Sequence, residues 1–195
     1  MSLWWTRRQV GTGVARTTDR PMNRSRVIGQ GVLAGLWASW VKALSEPRLQ
    51  RVAESIVPPT SEQKEEVGTD PIGHPQNMPP AVLVGRVASA FGAQMTDEQR
   101  LRAQMVIHYT VGAGVGVAYS GLARRWPAAT RGAGVLAGLA IYAGGHGSLV
   151  PALGIQRPPW RLSPSAVAWE ATSHAVYGAA LEMGRRLLDF PHDGG

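Results

Sequence analysis

The chain has 195 residues, 24 of them glycine and seven tryptophan, with no cysteine, a formal charge of +7 and a pI near 10.7. Without cysteine there is no disulfide framework and no thiolate metal site. Charge placement argues against nucleic acid, because Arg7, Arg8, Arg16, Arg20, Arg24 and Arg26 gather ahead of the first apolar segment, with Asp19 as the one acid among them. The mean hydropathy of -0.09 suits a soluble domain only as an average. It merges Gly/Ala/Val-rich blocks with long, charged, Pro-rich connections.

Residues 1–26 read as a basic cytoplasmic tail, with Trp4 and Trp5 beside Arg7 and Arg8 suited to a membrane surface. The apolar run begins too late for a cleavable signal. A first spanning helix is expected at 27–45, where Lys42 is the only charged residue and lies near the outer end. Gly31, Gly35 and Ser39 recur at intervals of four, a small-residue ridge that admits close helix contact. Lys42 and Glu46 have the same spacing and are placed to pair.

Residues 46–99 form a long external connection with four basic and eight acidic residues, punctuated by Pro58-Pro59 and Pro79-Pro80. Short helices are expected at 46–56 and 80–94, since 54 residues are too many for a structureless turn. Thr96 and Gln99 then have the spacing of a capping box. A second span follows at 101–122, with His108, Gly112 and Gly116 on one stripe. Arg124, Arg125 and Arg131 place the next turn in the cytoplasm.

The third stretch is the strongest: 132–156 contains 25 residues without Asp, Glu, Lys or Arg. At 1.5 Å per residue such a helix crosses the roughly 30 Å of hydrocarbon in a bilayer. Gly134, Gly138, Tyr142 and His146 recur along it every four residues, and Pro151 is placed to kink its outer end. Pro158-Pro159-Trp160 makes a rigid corner before a fourth helix at 165–188, anchored inside by Arg185 and Arg186. Glu170 costs that helix about 2.5–3.5 kcal/mol of insertion, so it requires neighbours. The expected architecture is all-α and polytopic, with four transmembrane helices, N-in and C-in. Its membrane domain covers 27–188, including the external connection, and a loose tail follows at 189–195. GVLAGL at 31–36 and 134–139, with His-x-x-x-Gly at His108 and His174, suggests two hairpin repeats.

His108, His146, Glu170 and His174 fall at a common depth and form an intramembrane polar cluster. Three readings stay open. The four side chains can be a hydrogen-bonded packing cluster with Tyr109, Tyr142 and Tyr177 as partners, or a proton or ion path. Three imidazoles and a carboxylate are also a metal-ion set, and two of the histidines a haem pair. No cofactor is predicted. No catalytic residue is assigned either: there is no H-E-x-x-H, no serine triad spacing and no phosphate-binding motif. An enzyme is the less favoured reading.

Four ordered strings carry a family resemblance: AGLWASWVKALSEP with Lys42, Glu46 and Pro47; IHYTVGAGVGVAY with His108; GVLAGLAIYAGGHGSLVPALG with His146, Pro151 and Gly154; and WEATSHAVYGAALEMGRR with Glu170, His174, Glu182 and Arg186. Over residues 31–186 the chain resembles the YagU-like family of bacterial inner-membrane proteins. That resemblance implies a multi-pass helical protein and no known reaction. The expected function is a structural, accessory or envelope-maintenance role in the inner membrane, with the lipid bilayer as partner. Gly31/Gly35, Gly112/Gly116 and Gly134/Gly138 are the expected helix-packing surfaces, available to a homo-oligomer or a larger membrane complex. The alternative is a small proton, ion or solute transporter working through the His/Glu cluster.

Overall fold

Three helical stretches meet both the length and the apolarity needed to cross a bilayer: Arg24–Ile56, Asp97–Arg125 and Pro127–Ala152. The structure, a computed structural model, describes residues 24–189, and every regular element among them is helical. The expected interfacial Trp4/Trp5 segment and the tail beyond 189 lie outside the described residues.

The first helix, α1 (Arg24–Ile56), has 33 residues and passes through Pro47. At 1.5 Å per residue it is about 50 Å long, well beyond the hydrocarbon thickness. The separate short helix expected at 46–56 is therefore its continuation, and the connection begins after Ile56. Pro47 cannot donate to the Ala43 carbonyl. Side chains stiffen the same turns instead: Lys42 pairs with Glu46, and the Arg48 guanidinium donates to the Leu44 carbonyl at 2.9 Å.

The connection holds α2 (Ser61–Glu65), a 3-10 turn at Pro75–Asn77 and α3 (Pro79–Ala90). Thr60 and Gln63 form a reciprocal capping box on α2. Thr96 and Gln99 form another on α4 (Asp97–Arg125), which carries Asp97 and Glu98 in its first turn and Arg124 and Arg125 in its last. Both ends thus complement the helix dipole.

The chain reverses at Pro127–Gly134 through three left-handed residues, Gly132, Ala133 and Gly134, with φ of 66°, 52° and 87°. The next helix, α5 (Val135–Gly144), consequently starts three residues into the apolar run. It continues through a π segment at Gly145–Leu149 into α6 (Val150–Ala152). Pro151 has no N–H for the Gly147 carbonyl. The widened turn ahead of it accommodates that loss, with the Ser148 hydroxyl donating to the Ala143 carbonyl at 3.0 Å.

The last helix, α7 (Pro164–Asp189), occupies the place of the expected fourth span, yet it is not apolar enough to count as one. Among the described residues the count by length and composition is three, not four. The reason is position. α7 packs along both α1 and α5, while α4 packs along α1 and α3 along α4. A helix surrounded by protein does not need apolar side chains for lipid, and α7 buries Ser165, Glu170, Ser173, His174, Tyr177 and Glu182.

Glycines set the closest approaches. A Cβ on Gly35 would stand 2.1 Å from the Gly112 carbonyl oxygen, and one on Gly116 the same distance from that of Gly31. The second hairpin repeats this lock: Gly178 faces Gly134 and Gly138, and a Cβ on Gly138 would meet the His174 carbonyl at 2.0 Å. Gly116 and Gly178 are thus the equivalent residues, one turn from the register that the two His-x-x-x-Gly strings suggest. In that alignment His108 corresponds to Glu170.

Between the locks lies a core of Ala34, Ala38, Tyr119, Tyr177, Ala180 and Leu181. The outer surface is the reverse of a soluble protein's. Leu33, Trp40, Val106, Val111, Leu136 and Leu149 are exposed, whereas Glu170, His174 and Glu182 are buried. Lipid around the helices accounts for that inversion.

Candidate functional site

A cavity of about 340 Å³ lies at the linker end of the bundle. Helix α1 contributes Ser39, Lys42 and Glu46; α4 contributes Gln104, His108 and Val111; α7 contributes Glu170, His174 and Tyr177. His146 reaches in from the π segment. Met78, Pro79, Pro80 and Leu83 at the start of α3 close over it, and Leu149 to Ile155 form one edge.

Three of the four polar residues are in direct contact. The His146 Nδ1–H is shared between two acceptors, Glu170 Oε1 at 2.8 Å and Gln156 Oε1 at 3.0 Å. Its ring stacks on Tyr142 with centroids 5.9 Å apart and meets His174 edge-on at 5.1 Å. His174 donates through Nδ1 to the Glu170 carbonyl at 2.9 Å, which fixes its tautomer because a carbonyl only accepts. His108 stands across the cavity and bonds none of these three. Its Nε2–H donates to the Ser39 carbonyl at 3.2 Å, a bond between α4 and α1.

Three residues that line the cavity each carry a buried atom without a hydrogen-bond partner, Glu170 Oε2, Gln104 Oε1 and Ser39 Oγ, the last of them set against Gly112 in the α1–α4 contact. Glu170 is only 2% exposed, so an oxygen left there without a partner is a costly feature. Lys42 pairs with Glu46, and His146 lies against Glu170. No group of three His, Asp or Glu is arranged around a cation position among the described residues. The ring nitrogens described above are committed to protein acceptors.

Neither end of the bundle is left loose. At the arginine end, Glu182 accepts from the Tyr119 hydroxyl at 2.9 Å, from Arg185 at 2.8 and 2.9 Å, and from Arg186 at 2.6 Å. Arg124 reaches from α4 to Gln30 at 2.7 Å and to Asp189. At the linker end the Gln50 amide on α1 donates to Glu54 at 2.7 Å and to Asp70 at 2.6 Å, while Lys64 pairs with Glu54 at 2.7 Å. Burial works against ionisation of Asp70. The Gly73 amide, Gln50 and His74 outweigh it and hold the carboxyl below the usual carboxylate range. Arg157 to Glu66 at 2.7 Å and Arg86 to the Gly154 carbonyl at 2.9 Å tie the roof to the edge before α7.

The i, i+4 spacing of Lys42 and Glu46 marks a pair at the outer end, and the pair also lines the cavity. Ser39, Gln104 and Gln156 are site residues that the expected His/Glu cluster does not include. Ser39 and Lys42 had a legible signal, since both lie on α1 within a turn of one another on the way from the glycine ridge to Glu46. Gln156 had none, because its place depends on how the 153–163 turn folds.

A family profile described as a protein of unknown function, DUF1440, matches residues 49–183. The chain belongs to that family, which is linked to YagU-like membrane proteins, and it is a multi-pass protein of the bacterial inner membrane. The match spans the connection, α4, α5 and most of α7, and begins beyond the part of α1 that carries the glycine ridge. No curated protein and no solved structure matches the chain.

Proposed function

We propose that this protein crosses the inner membrane four times, N-in and C-in, and serves the envelope in an accessory role by holding a small molecule in its outer-half cavity. The arginine end, with Arg124, Arg125, Arg131, Arg185 and Arg186, faces the cytoplasm under the positive-inside rule. The acid-rich connection and its α3 roof face outward. α7 crosses as the inner member of the bundle, its carboxylates and imidazoles solvated by neighbouring helices in place of lipid.

One observation carries the reading. The cavity stops at a packed layer of Ala34, Ala38, Tyr119, Tyr177, Ala180 and Leu181, and the Glu182–Arg185–Arg186 network lies beyond it. A chamber with a solid floor retains its occupant better than it passes it on. Purified protein in proteoliposomes is therefore expected to show no proton, cation or solute flux under imposed pH and ion gradients. Saturable flux that Glu170→Gln diminishes would replace this reading with the transporter. That second reading has one observation in its favour, the buried Glu170 oxygen without a partner beside His146.

The small-residue ridges meet within one chain in this reading, Gly31/Gly35 against Gly112/Gly116 and Gly134/Gly138 against Gly178. Assembly with a second copy or another membrane protein would then use the exposed apolar faces of α1, α4 and α5. Chemical cross-linking in native membranes, followed by mass measurement of the products, tests for such a partner.

A further inference from the structure

The chamber's polar side chains answer one another and leave carbon for a guest to touch. Lys42 pairs with Glu46. His146 donates to Glu170 and Gln156, His174 to the Glu170 carbonyl, His108 to that of Ser39, and the Tyr177 hydroxyl to that of Gly112 at 3.1 Å. The oxygens of Glu170, Gln104 and Ser39 that lack a partner are shut away in the packing, so they offer a guest no surface. The rest of the wall is hydrocarbon: Met78 and Leu83 in the roof, Val115 and Ile141 against the packed floor, Leu149 and Ile155 along the edge.

The opening is on the lipid side. Val111 on α4 and Leu149 at the end of the π segment line the chamber yet are 57% and 59% exposed, and α4 and α5 share no extensive contact that would close the gap between them. Both belong to stretches long and apolar enough to cross the bilayer. Val111 lies fourteen residues before the Arg125 end of α4 and Leu149 fourteen beyond the Val135 start of α5, so each stands about 21 Å from the arginine turn. In hydrocarbon roughly 30 Å thick, that height is the middle of the outer leaflet, where acyl chains are the solvent.

We propose that the chamber takes one acyl chain of an outer-leaflet phospholipid, which enters sideways between Val111 and Leu149 while its head group stays outside at the interface. At about 30 Å³ for a group the size of a methylene or a water molecule, a volume of about 340 Å³ admits on the order of ten carbons, most of one chain and not two. Lipid tails are as apolar as leucine, so the chain gains nothing from leaving water. What it restores are the dispersion contacts that an empty chamber forfeits. The site therefore selects a chain and is indifferent to the head group. The assignment rests on the holding role above and adds the chemical class of what is held.

The test uses the full chain in nanodiscs of phosphatidylethanolamine and phosphatidylglycerol, with a fraction of phospholipid that carries a diazirine midway along one chain. Peptide mass spectrometry after illumination locates the adducts. They are expected at Met78, Ile155 or Tyr177, buried wall residues that lipid on the outer surface does not touch, in addition to the exposed Val106 and Leu136. Val111→Trp and Leu149→Trp, both at exposed positions of the mouth, should each lower the interior adducts at least about fivefold and leave those at Val106 and Leu136 unchanged. Met183→Trp, on an exposed face of α7, should alter neither set. Moving the diazirine chain from an ethanolamine to a glycerol head group should change the interior yield less than about twofold. Thermal midpoints check that the variants fold, and labelling of the unaltered chain decides the assignment where they do not.

Adducts confined to exposed residues overturn the assignment, and so do interior adducts that neither mouth variant lowers. A preference of about tenfold or more for one head group overturns it as well. If a water-soluble diazirine alcohol labels the interior in place of lipid, the holding role survives without the acyl chain. Solute flux in proteoliposomes removes the holding role itself, whatever the adducts show.

Discussion

Glu182 and Arg186 belong to one ion pair but have unequal stakes in it. Glu182 is buried at 1% exposure among Tyr119, Arg185 and Arg186, while the Arg186 side chain is 59% exposed. Glu182→Leu takes the acceptor from the Tyr119 hydroxyl and leaves the partly buried Arg185 with Asp189 alone, and is expected to cost roughly 1.5–3 kcal/mol. Arg186→Ala should cost less than about 1 kcal/mol. Denaturation in detergent micelles measures both, and equal losses would show that burial does not set the difference. The same reasoning separates two glycines of α4's neighbourhood. Gly35→Ala forces a Cβ to 2.1 Å from a backbone oxygen, an overpacking of about 1–3 kcal/mol or more, whereas Gly114 has open space and its alanine should be neutral or stabilising by up to about 1 kcal/mol.

Asp70 supplies the pH dependence outside the membrane. Its folded-state pKa lies below the unfolded value, so its contribution is complete above about pH 4 and is lost as pH falls further through the folded value. The roof should loosen in that acid range, read as faster proteolysis at 57–78, and Asp70→Asn should remove the acid step. Spacing made the Glu182–Arg186 and Lys42–Glu46 pairs legible in the sequence, because four residues on a helix fix proximity without knowledge of the fold. The Asp70 contacts with Gln50 and the Tyr119 bond to Glu182 cross long stretches of chain. No local pattern announces them.

At the scale of elements, the capping boxes at Thr60 and Thr96 and the α3 start at Pro79 follow from local chemistry. The π segment does not. Pro151 signals a disturbed turn, but whether the chain kinks or widens depends on what His146 must meet, here Glu170 on α7. Deleting Gly147 should restore the α-helical repeat and rotate His146 away from that carboxylate. The coupling between His146→Ala and Glu170→Gln, expected above about 0.5 kcal/mol for residues in contact, should then vanish in the deletion background. A double-mutant cycle on thermal unfolding measures it, and undiminished coupling would mean that the π turn is incidental. α7 shows the opposite limit of pattern reading. Its polar residues lower its hydropathy because protein neighbours, and not lipid, receive them.

For the whole molecule, helix count and packing order come from different information. Apolar run length marks α1, α4 and the α5–α6 stretch, but only tertiary contact reveals α7 at the centre, paired with α1 and flanked by α5. The repeat is similarly half visible. GVLAGL marks the two locking helices, while the His-x-x-x-Gly strings mislead by a turn, since the backbone contact of Gly116 and Gly178 sets the register. His146, Glu170 and His174 were nameable as a cluster from their depth; the cavity between them and His108 depends on the α3 roof, which no periodicity fixes.

The central claim is that α7 crosses the bilayer and returns the chain to the cytoplasm. With no native cysteine in the sequence, single substitutions can be labelled with an impermeant maleimide in intact cells and after permeabilisation. Asn77→Cys and Trp160→Cys should react in intact cells, and Thr130→Cys and Gly195→Cys only after permeabilisation. Labelling of Gly195→Cys in intact cells, with Thr130→Cys still protected, would leave three crossings and contradict the account.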